Sequence, residues 1–248
     1  MTLTEFFAQN QKVALAFSGG VDSAYLLYAA KQAGADVTAY FVRTPFQPAF
    51  ELEDAVRLAK ELGAPLKILN VDILSHANIT ENPKNRCYFC KKQIFSTILE
   101  QSKTDGIPLI IDGTNASDDA TDRPGMVALQ ELQVRSPLRE CGLTKVALRH
   151  LSKEAGLFTH DKPAYACLAT RIPTGTPITQ ALLAKVEHSE AFLAKLGFSD
   201  FRVRILGDNA KLELKKQQLP LLLEHRETIL HELKKDFAAV LLDLEVRQ

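Results

Sequence analysis

No stretch of this sequence approaches the ~18 consecutive apolar residues that a membrane-crossing helix needs. Residues 1–11 carry neither a basic leader with an apolar run nor a cleavage motif, and the chain has no internal repeat and no low-complexity tract. Charge of either sign is not in excess: 30 lysines and arginines face 30 aspartates and glutamates, so no overall cationic field favours nucleic acid. Cysteine is scarce. Its four copies, at 87, 90, 141 and 167, are too scattered for a secreted disulfide framework and suit metal, redox or nucleophile chemistry in a reducing compartment. The expectation is a soluble, cytoplasmic protein with neither a membrane nor a nucleic acid as partner.

What is present is globular in composition: 248 residues, 46% hydrophobic and 24% charged, enough for one large or two modest domains. "KVALAFS" (12–18), "VTAYFV" (37–42), "LKILNV" (66–71) and "PLIID" (108–112) are short apolar runs that read as buried parallel strands. Between them, "DSAYLLYAAKQAG" and "FELEDAVRLAKELG" repeat apolar residues at helical spacing and end at Gly34 and Gly63, where a left-handed terminal residue is expected. Further helices are expected over 88–101 and 144–156. Alternating strands and helices predict a doubly wound parallel α/β sheet over residues 1–158. Residues 159–179 carry three prolines and no periodicity and form an inter-domain loop of the functional kind. Residues 180–248 then predict a small α+β domain: a helix at 180–196, strands "FRVRIL" and "KLELKK" about a turn at 207–209, one helix over 217–235 and a last strand "AAVLLDL".

The first strand runs straight into "SGGVDS", and then into a helix. Gly19 and Gly20 let the backbone turn tightly against a ligand, and the helix start offers unpaired N–H groups and a positive dipole end, which together suit a phosphate. The loop is not a Walker A, because it has no lysine, and it lacks the spacing of a dinucleotide fold. It resembles the PP-loop of the ATP pyrophosphatases, an adenine-nucleotide α-hydrolase-like fold that cleaves ATP between its α and β phosphates. Ser18, Gly19, Gly20, Val21, Asp22 and Ser23 are the candidate nucleotide contacts, with Asp22 helping to hold Mg²⁺. A capped glycine turn without a ligand is the plain alternative. Two more loops lie at strand C-terminal ends, where ligands of such sheets bind: "VRTP", with Thr44 placed for adenosine, and "DGTNASDDATDRPG", with Gly113 and Asn115.

"NRCYFCKK" holds one Cys-x-x-Cys, Cys87 and Cys90, at a helix start that is followed by Lys91 and Lys92. Helix N-terminus and cations both stabilise thiolate. Cys167, in "ACLATRIP", has Lys162 and Arg171 close in sequence and is a candidate nucleophile or thiolate ligand. Cys141 reads as a small buried hydrophobe.

"SGGVDS", "NRCYFCKKQIF", "DGTNASDDATDRPG", "VRSPLRECGLTK", "DKPAYACLATRIPTGTPIT" and "LGFSDFRVRILGDNAKLEL", in this order, resemble the LarE family, the ATP-dependent sulfur transferases that mature the nickel-pincer nucleotide of lactate racemase. The resemblance implies adenylation of a carboxylate of pyridinium-3,5-biscarboxylic acid mononucleotide and sulfur delivery to form a thiocarboxylate. One branch of the family sacrifices a single cysteine, at the position of Cys167. A second branch is implied to hold a [4Fe–4S] cluster on three cysteines, here Cys87, Cys90 and Cys167, with an extra sulfide as donor. Zinc on the same thiolates, or a Cys87–Cys90 disulfide cycling with a Cys167 persulfide, are alternatives, and Cys141 is a candidate fourth ligand. The resemblance also implies ATP and Mg²⁺ as cofactors, and a homo-oligomer.

Arg202 and Arg204 alternate along a strand and so face one side, a pairing suited to a phosphate or carboxylate. The resemblance implies that they and Glu213 contact substrate, and Arg171 is a candidate for neutralising the acyl-adenylate. The Gly-aromatic-Arg-x-Gly-Ser tail common in the family is not in this sequence, which leaves Arg247 as a candidate replacement. A PP-loop tRNA thiolase is the runner-up, against which stands the balanced charge. An amide-forming NAD or GMP synthetase would leave the cysteines without a role.

Overall fold

Val13, Leu15 and Phe17 alternate along the first strand with Ala14 and Ala16, and the two sets enter two different apolar clusters. That alternation is what makes a central strand covered on both sides. A computed structural model describes residues 1–118 and 124–245 and divides into two units, Met1–Ile73 with Asn85–Lys162, and Leu74–Lys84 with Pro163–Gln248. Part of the loop 112–125, and Arg247, lie outside the described residues.

In the first unit, α1 (Leu3–Gln9) leads into β1 (Lys12–Ala16), α2 (Val21–Gln32), β2 (Asp36–Arg43), α3 (Ala49–Glu61) and β3 (Leu66–Asn70). The chain passes α4 (Ala77–Thr80), in the second unit, and returns through α5 (Arg86–Thr104), β4 (Leu109–Ile111), α6 (Pro124–Glu131), α7 (Pro137–Glu140) and α8 (Lys145–Glu154). The sheet is all parallel in the order β3-β2-β1-β4, with Leu15 opposite both Ala39 and Ile111. Residues of α1, α2, α3, α7 and α8 cover one face, and α5 and α6 cover the other, giving the doubly wound α/β architecture. Gly34 and Gly63 follow their helices at φ +74° and +58°, as the stop signals predict.

β3 departs from the expectation of a buried strand. It is an edge strand, Ile68 is 43% exposed, and Lys67 reaches solvent through an ion pair with Asp105. An apolar run alone does not distinguish an edge from a centre, because its partners are set by the sheet order.

The second unit contains α9 (Gln180–Lys195), β5 (Arg202–Leu206), β6 (Asn209–Glu213), α10 (Leu219–Glu224), α11 (Arg226–Leu233) and β7 (Val240–Leu242). β5 and β6 form an antiparallel hairpin over Gly207 at φ +59°, and β7 adds in parallel to β6. The single helix expected over 217–235 is a 3₁₀ turn and two helices, broken at His225, whose φ of −97° and ψ of 12° leave the helical region.

The chain divides between Lys162 and Pro163, inside the stretch 159–179 read as a linker. Asn82 explains why residues 74–84 go with the second unit: its side-chain amide donates to the carbonyls of Pro173 at 2.8 Å and Thr176 at 3.2 Å. Its own carbonyl accepts from Gly175, and Ile178 donates to Thr80.

Candidate functional site

The turn between β1 and α2 is shaped by its own hydroxyls. Ser18 and Ser23 lie 3.2 Å apart through their Oγ atoms, and Ser23 also donates to the Gly20 carbonyl. Gly19 adopts φ +72°, and a Cβ there would meet the Ala55 nitrogen at 3.1 Å and the Glu51 carbonyl at 3.2 Å, so a side chain would be strained and would press on the backbone of α3. Gly20 caps α2 and, having no side chain, makes no cap hydrogen bond. The first N–H groups of α2, starting at the buried Val21, therefore have no side-chain cap among the described residues, the arrangement that binds anions.

Beside this turn is a cavity of about 330 Å³ with two kinds of wall. Tyr40, Ile94, Phe95 and Ile98 make an apolar side, while Ser18, Asp22, Ser23, Asp112, Thr114 and Asp118 make a polar one. Gly113 comes so close to α2 that a Cβ would sit 3.0 Å from the Ser23 nitrogen. Asn115 does its work inside the loop: its Oδ1 accepts from Ser117 at 2.8 Å and its N–H donates to Asp118 at 3.0 Å, which fixes the loop that presents Asp118. Thr44 likewise closes its own turn, donating to Gln47 Oε1 at 2.6 Å and accepting from the Phe46 N–H. From this turn it is Gln47 that lines the cavity.

Asp22 is unevenly satisfied. Its Oδ2 accepts from Lys145 Nζ at 2.6 Å, whereas its Oδ1 is buried without a hydrogen-bond partner among the described residues. Burial pushes the carboxyl above the ordinary aspartate range, against the pull of the Lys145 hydrogen bond and charge, and the nearby Asp118 adds to the rise. A buried carboxylate oxygen without a donor is the kind of group that a cation satisfies.

The cysteine pair belongs to this same unit. Cys87 and Cys90 are the second and fifth residues of α5, one turn apart on one side of it. Cys87 is also four residues before Lys91, which begins the stripe Lys91, Ile94, Phe95 and Ile98 along the cavity. The thiol stripe thus continues the cavity stripe by one helical turn. Cys87 is exposed, Cys90 is half-buried, and the Arg86 guanidinium donates to the Cys87 sulfur at 3.9 Å. Cys141 ends α7 among Glu140, Glu5, Arg135 and the N-terminal ammonium, and burial pushes its thiol up.

In the second unit, the loop that carries Cys167 is braced from α9 and β5. Arg171 is 1% exposed, and its Nε and Nη2 donate to the two carboxylate oxygens of Glu190 on α9 at 2.8 and 3.0 Å. Its Nη1 donates to the Ala166 carbonyl at 2.8 Å and to the Cys167 carbonyl at 3.4 Å. Glu190 also accepts from the Tyr165 hydroxyl and from the Val203 N–H of β5. The Tyr165 ring lies against the guanidiniums of both Arg171 and Arg202. Arg202 donates to the Ala164 carbonyl at 2.7 Å and Arg204 to the Thr170 carbonyl at 2.6 Å, so the arginine pair does face one side, toward this loop. Glu213 pairs with Arg204 and with Lys211. The guanidinium of Arg171 thus positions the backbone at Cys167.

Known proteins match this chain in sequence. A family model described as queuosine biosynthesis protein QueC matches residues 12–87, from β1 through the phosphate loop to the first cysteine. An uncharacterized protein of Synechocystis is 36% identical over 218 residues, 88% of this chain and 81% of its own. A pyridinium-3,5-bisthiocarboxylic acid mononucleotide synthase of Lactiplantibacillus plantarum is 33% identical over 246 residues, covering 98% of this chain and 89% of that one. The chain belongs to the LarE family. It is accordingly an ATP-dependent sulfur transferase of PP-loop fold. A tRNA-specific 2-thiouridylase of Pseudothermotoga lettingae is similar over a smaller part, 28% identical across 61% of this chain and 54% of its own.

Lys91, Gln47, Asp112 and Asp118 line the cavity in addition to the residues singled out by motif, and Lys145 reaches Asp22 on its wall. The lysine of "GLTK" carries one legible signal: it directly follows a helix-capping threonine, where a cation is electrostatically misplaced. The cysteines are divided between the units, Cys87 and Cys90 in the first and Cys167 in the second. Among the described residues, no three histidine, cysteine, aspartate or glutamate side chains stand close enough to hold a metal ion. No described helix is long and apolar enough to cross a membrane.

Proposed function

We propose that this chain adenylates a carboxylate of pyridinium-3,5-biscarboxylic acid mononucleotide and replaces the AMP with sulfur to give the thiocarboxylate. The observation that carries the reading is the shared face of α5, which runs from the nucleotide cavity at Ile98, Phe95, Ile94 and Lys91 to the thiol of Cys87 one turn further on. An adenylate formed in the cavity and a sulfur donor held at the start of α5 then need to move little to meet.

In the first step a substrate carboxylate oxygen attacks the α phosphorus, the bond to the β phosphate breaks, and pyrophosphate leaves with the electron pair. The uncapped start of α2, with Ser18 and Ser23, cradles the phosphates. Asp22, through its unpartnered Oδ1, suits Mg²⁺. In the second step sulfur attacks the acyl carbon and AMP leaves. Cys87 and Cys90, one turn apart at a helix start beside Arg86 and Lys91, suit two thiolate ligands, and Cys167 would be the third. If these three cysteines hold a [4Fe–4S] cluster, as the family resemblance implies, it would supply an open iron for an extra sulfide. Arg202 and Arg204 would meet the substrate phosphate, with Glu213 orienting Arg204 and Arg171 holding the Cys167 backbone. A cytoplasmic homo-oligomer goes with this reading.

The test uses anaerobically prepared protein. Pyrophosphate release should rise with the pyridinium dicarboxylate mononucleotide and not with tRNA or ammonia, and iron and acid-labile sulfide should be present together. Cys87→Ala and Cys90→Ala should retain adenylation but make no more than one product per chain. Stimulation by tRNA instead would move the chain to the thiouridylase reading. Loss of H₂S from Cys167, read by mass after one turnover, would move it to sacrificial transfer.

A further inference from the structure

The lysines at the ends of α2, α3, α5, α8 and α9, namely Lys31, Lys60, Lys103, Lys153 and Lys195, all lie in the last turn, where the peptide dipole favours a cation. Lys145 breaks this pattern. It is the first residue of α8, directly after the Thr144 cap, and no carboxylate of that first turn offsets it. Helix stability does not account for a lysine there.

Its side chain instead crosses to the phosphate loop and meets Asp22 Oδ2 at 2.6 Å. The backbone fixes the approach. The Lys145 N–H donates to Ser117 Oγ at 3.0 Å, and the Ala116 N–H donates to the Leu143 carbonyl at 2.8 Å. These bonds stitch the start of α8 to the loop whose Asp112, Thr114 and Asp118 make the polar wall of the cavity. The Lys145 side chain keeps 32% of its exposure, so the ammonium has room to turn.

The phosphate loop itself, "SGGVDS", contains no lysine. We propose that Lys145 is the phosphate-binding cation of the nucleotide site, resting on Asp22 while the site is empty. When a metal-bound nucleoside triphosphate enters, the carboxylate turns to the metal and the ammonium to the β and γ phosphates. The apolar wall of Tyr40, Ile94 and Phe95 takes the base, so the polar end, with Asp22, receives the phosphates furthest from it. When the bond from the α phosphorus to the bridging oxygen breaks, the negative charge gathers on pyrophosphate, and an ammonium placed there stabilises the leaving group. This role rests on the ATP-dependent reading of the site and adds a residue from a distant helix to it.

The test is equilibrium binding of ATP, AMP and inorganic pyrophosphate, with Mg²⁺, to the full chain and to Lys145→Met and Lys145→Arg, with thermal melting of each. Lys145→Met should bind ATP and pyrophosphate about 10- to 100-fold more weakly, the range for a lost charge-assisted hydrogen bond, and AMP within about twofold of wild type. Lys145→Arg should recover most of the ATP affinity. Unchanged ATP affinity in Lys145→Met overturns the proposal, and so does an equal loss for ATP and AMP, which marks the Lys145–Asp22 pair as structural. Binding requires neither a sulfur donor nor the pyridinium substrate, so a failure to form thiocarboxylate counts against the proposed reaction and leaves this role standing.

Discussion

Asp22 in the first unit leaves one buried carboxylate oxygen without a donor, whereas Glu190 in the second accepts from Arg171 on both of its oxygens and from Tyr165 and Val203 besides. The Asp22 side chain is 22% exposed and that of Glu190 is 6%, and the two are opposite in commitment. A buried charge that is fully paired fixes the groups around it, and one that is half paired is held ready for something else. The loop of Asp22 accordingly keeps a polar group uncommitted, and the loop of Cys167 is a preassembled mount whose backbone is already placed.

The contrast breaks most severely at Glu190. Glu190→Ala leaves the Arg171 guanidinium buried without its carboxylate and should cost roughly 3–5 kcal/mol in urea unfolding, with Glu190→Gln milder. A loss below about 1 kcal/mol would mean that the mount is not held by this pair. Next comes Gly19→Ala, which sets a side chain at φ +72° against the backbone of α3. It should cost about 1–2 kcal/mol and lower ATP affinity at least about tenfold by isothermal titration.

Asp22→Asn sharpens the comparison because stability and binding should move in opposite directions. The folded state raises the Asp22 pKa, so the folded protein holds that proton more tightly than the unfolded chain, and the ionised form costs stability. Below the ordinary aspartate value the cost is absent, and it grows as pH rises through the raised folded value. Wild type should therefore lose melting temperature relative to Asp22→Asn between about pH 4 and pH 7, while the variant binds Mg-ATP more weakly. Equal melting curves at both pH values would show that the orphaned oxygen carries no strain. The smallest effect belongs to Cys141. Its thiol should be alkylated more slowly than Cys87, with half-reaction displaced to higher pH, and Cys141→Ala should leave ATP affinity unchanged. Fast labelling of Cys141, read by peptide mass, would contradict its burial.

Much of this was legible along the chain. Strand–loop–helix order around "SGGVDS" predicts the parallel sheet, and the spacing of Cys87 and Cys90 places them on one face of a helix start. The terminal helix α1 has its own signal, the Thr2–Glu5 capping box. β3 was not legible as an edge, because apolar runs in central and edge strands of a parallel sheet read alike. Nor was the break at His225, which lies within an otherwise continuous helical pattern. Thr44 misleads for another reason: a motif position names a loop, but hydrogen bonding within the loop decides that Gln47 turns toward the cavity.

By itself the sequence determined the order of elements, the glycine geometry of the phosphate loop and the supply of thiols, since these depend on neighbours within a few residues. Only the tertiary structure decided that Lys145 lies on Asp22, 123 residues away, and that Arg171 is closed onto Glu190. Such pairings follow from how helices pack on a sheet, and burial then fixes which polar groups are satisfied and which remain for a ligand.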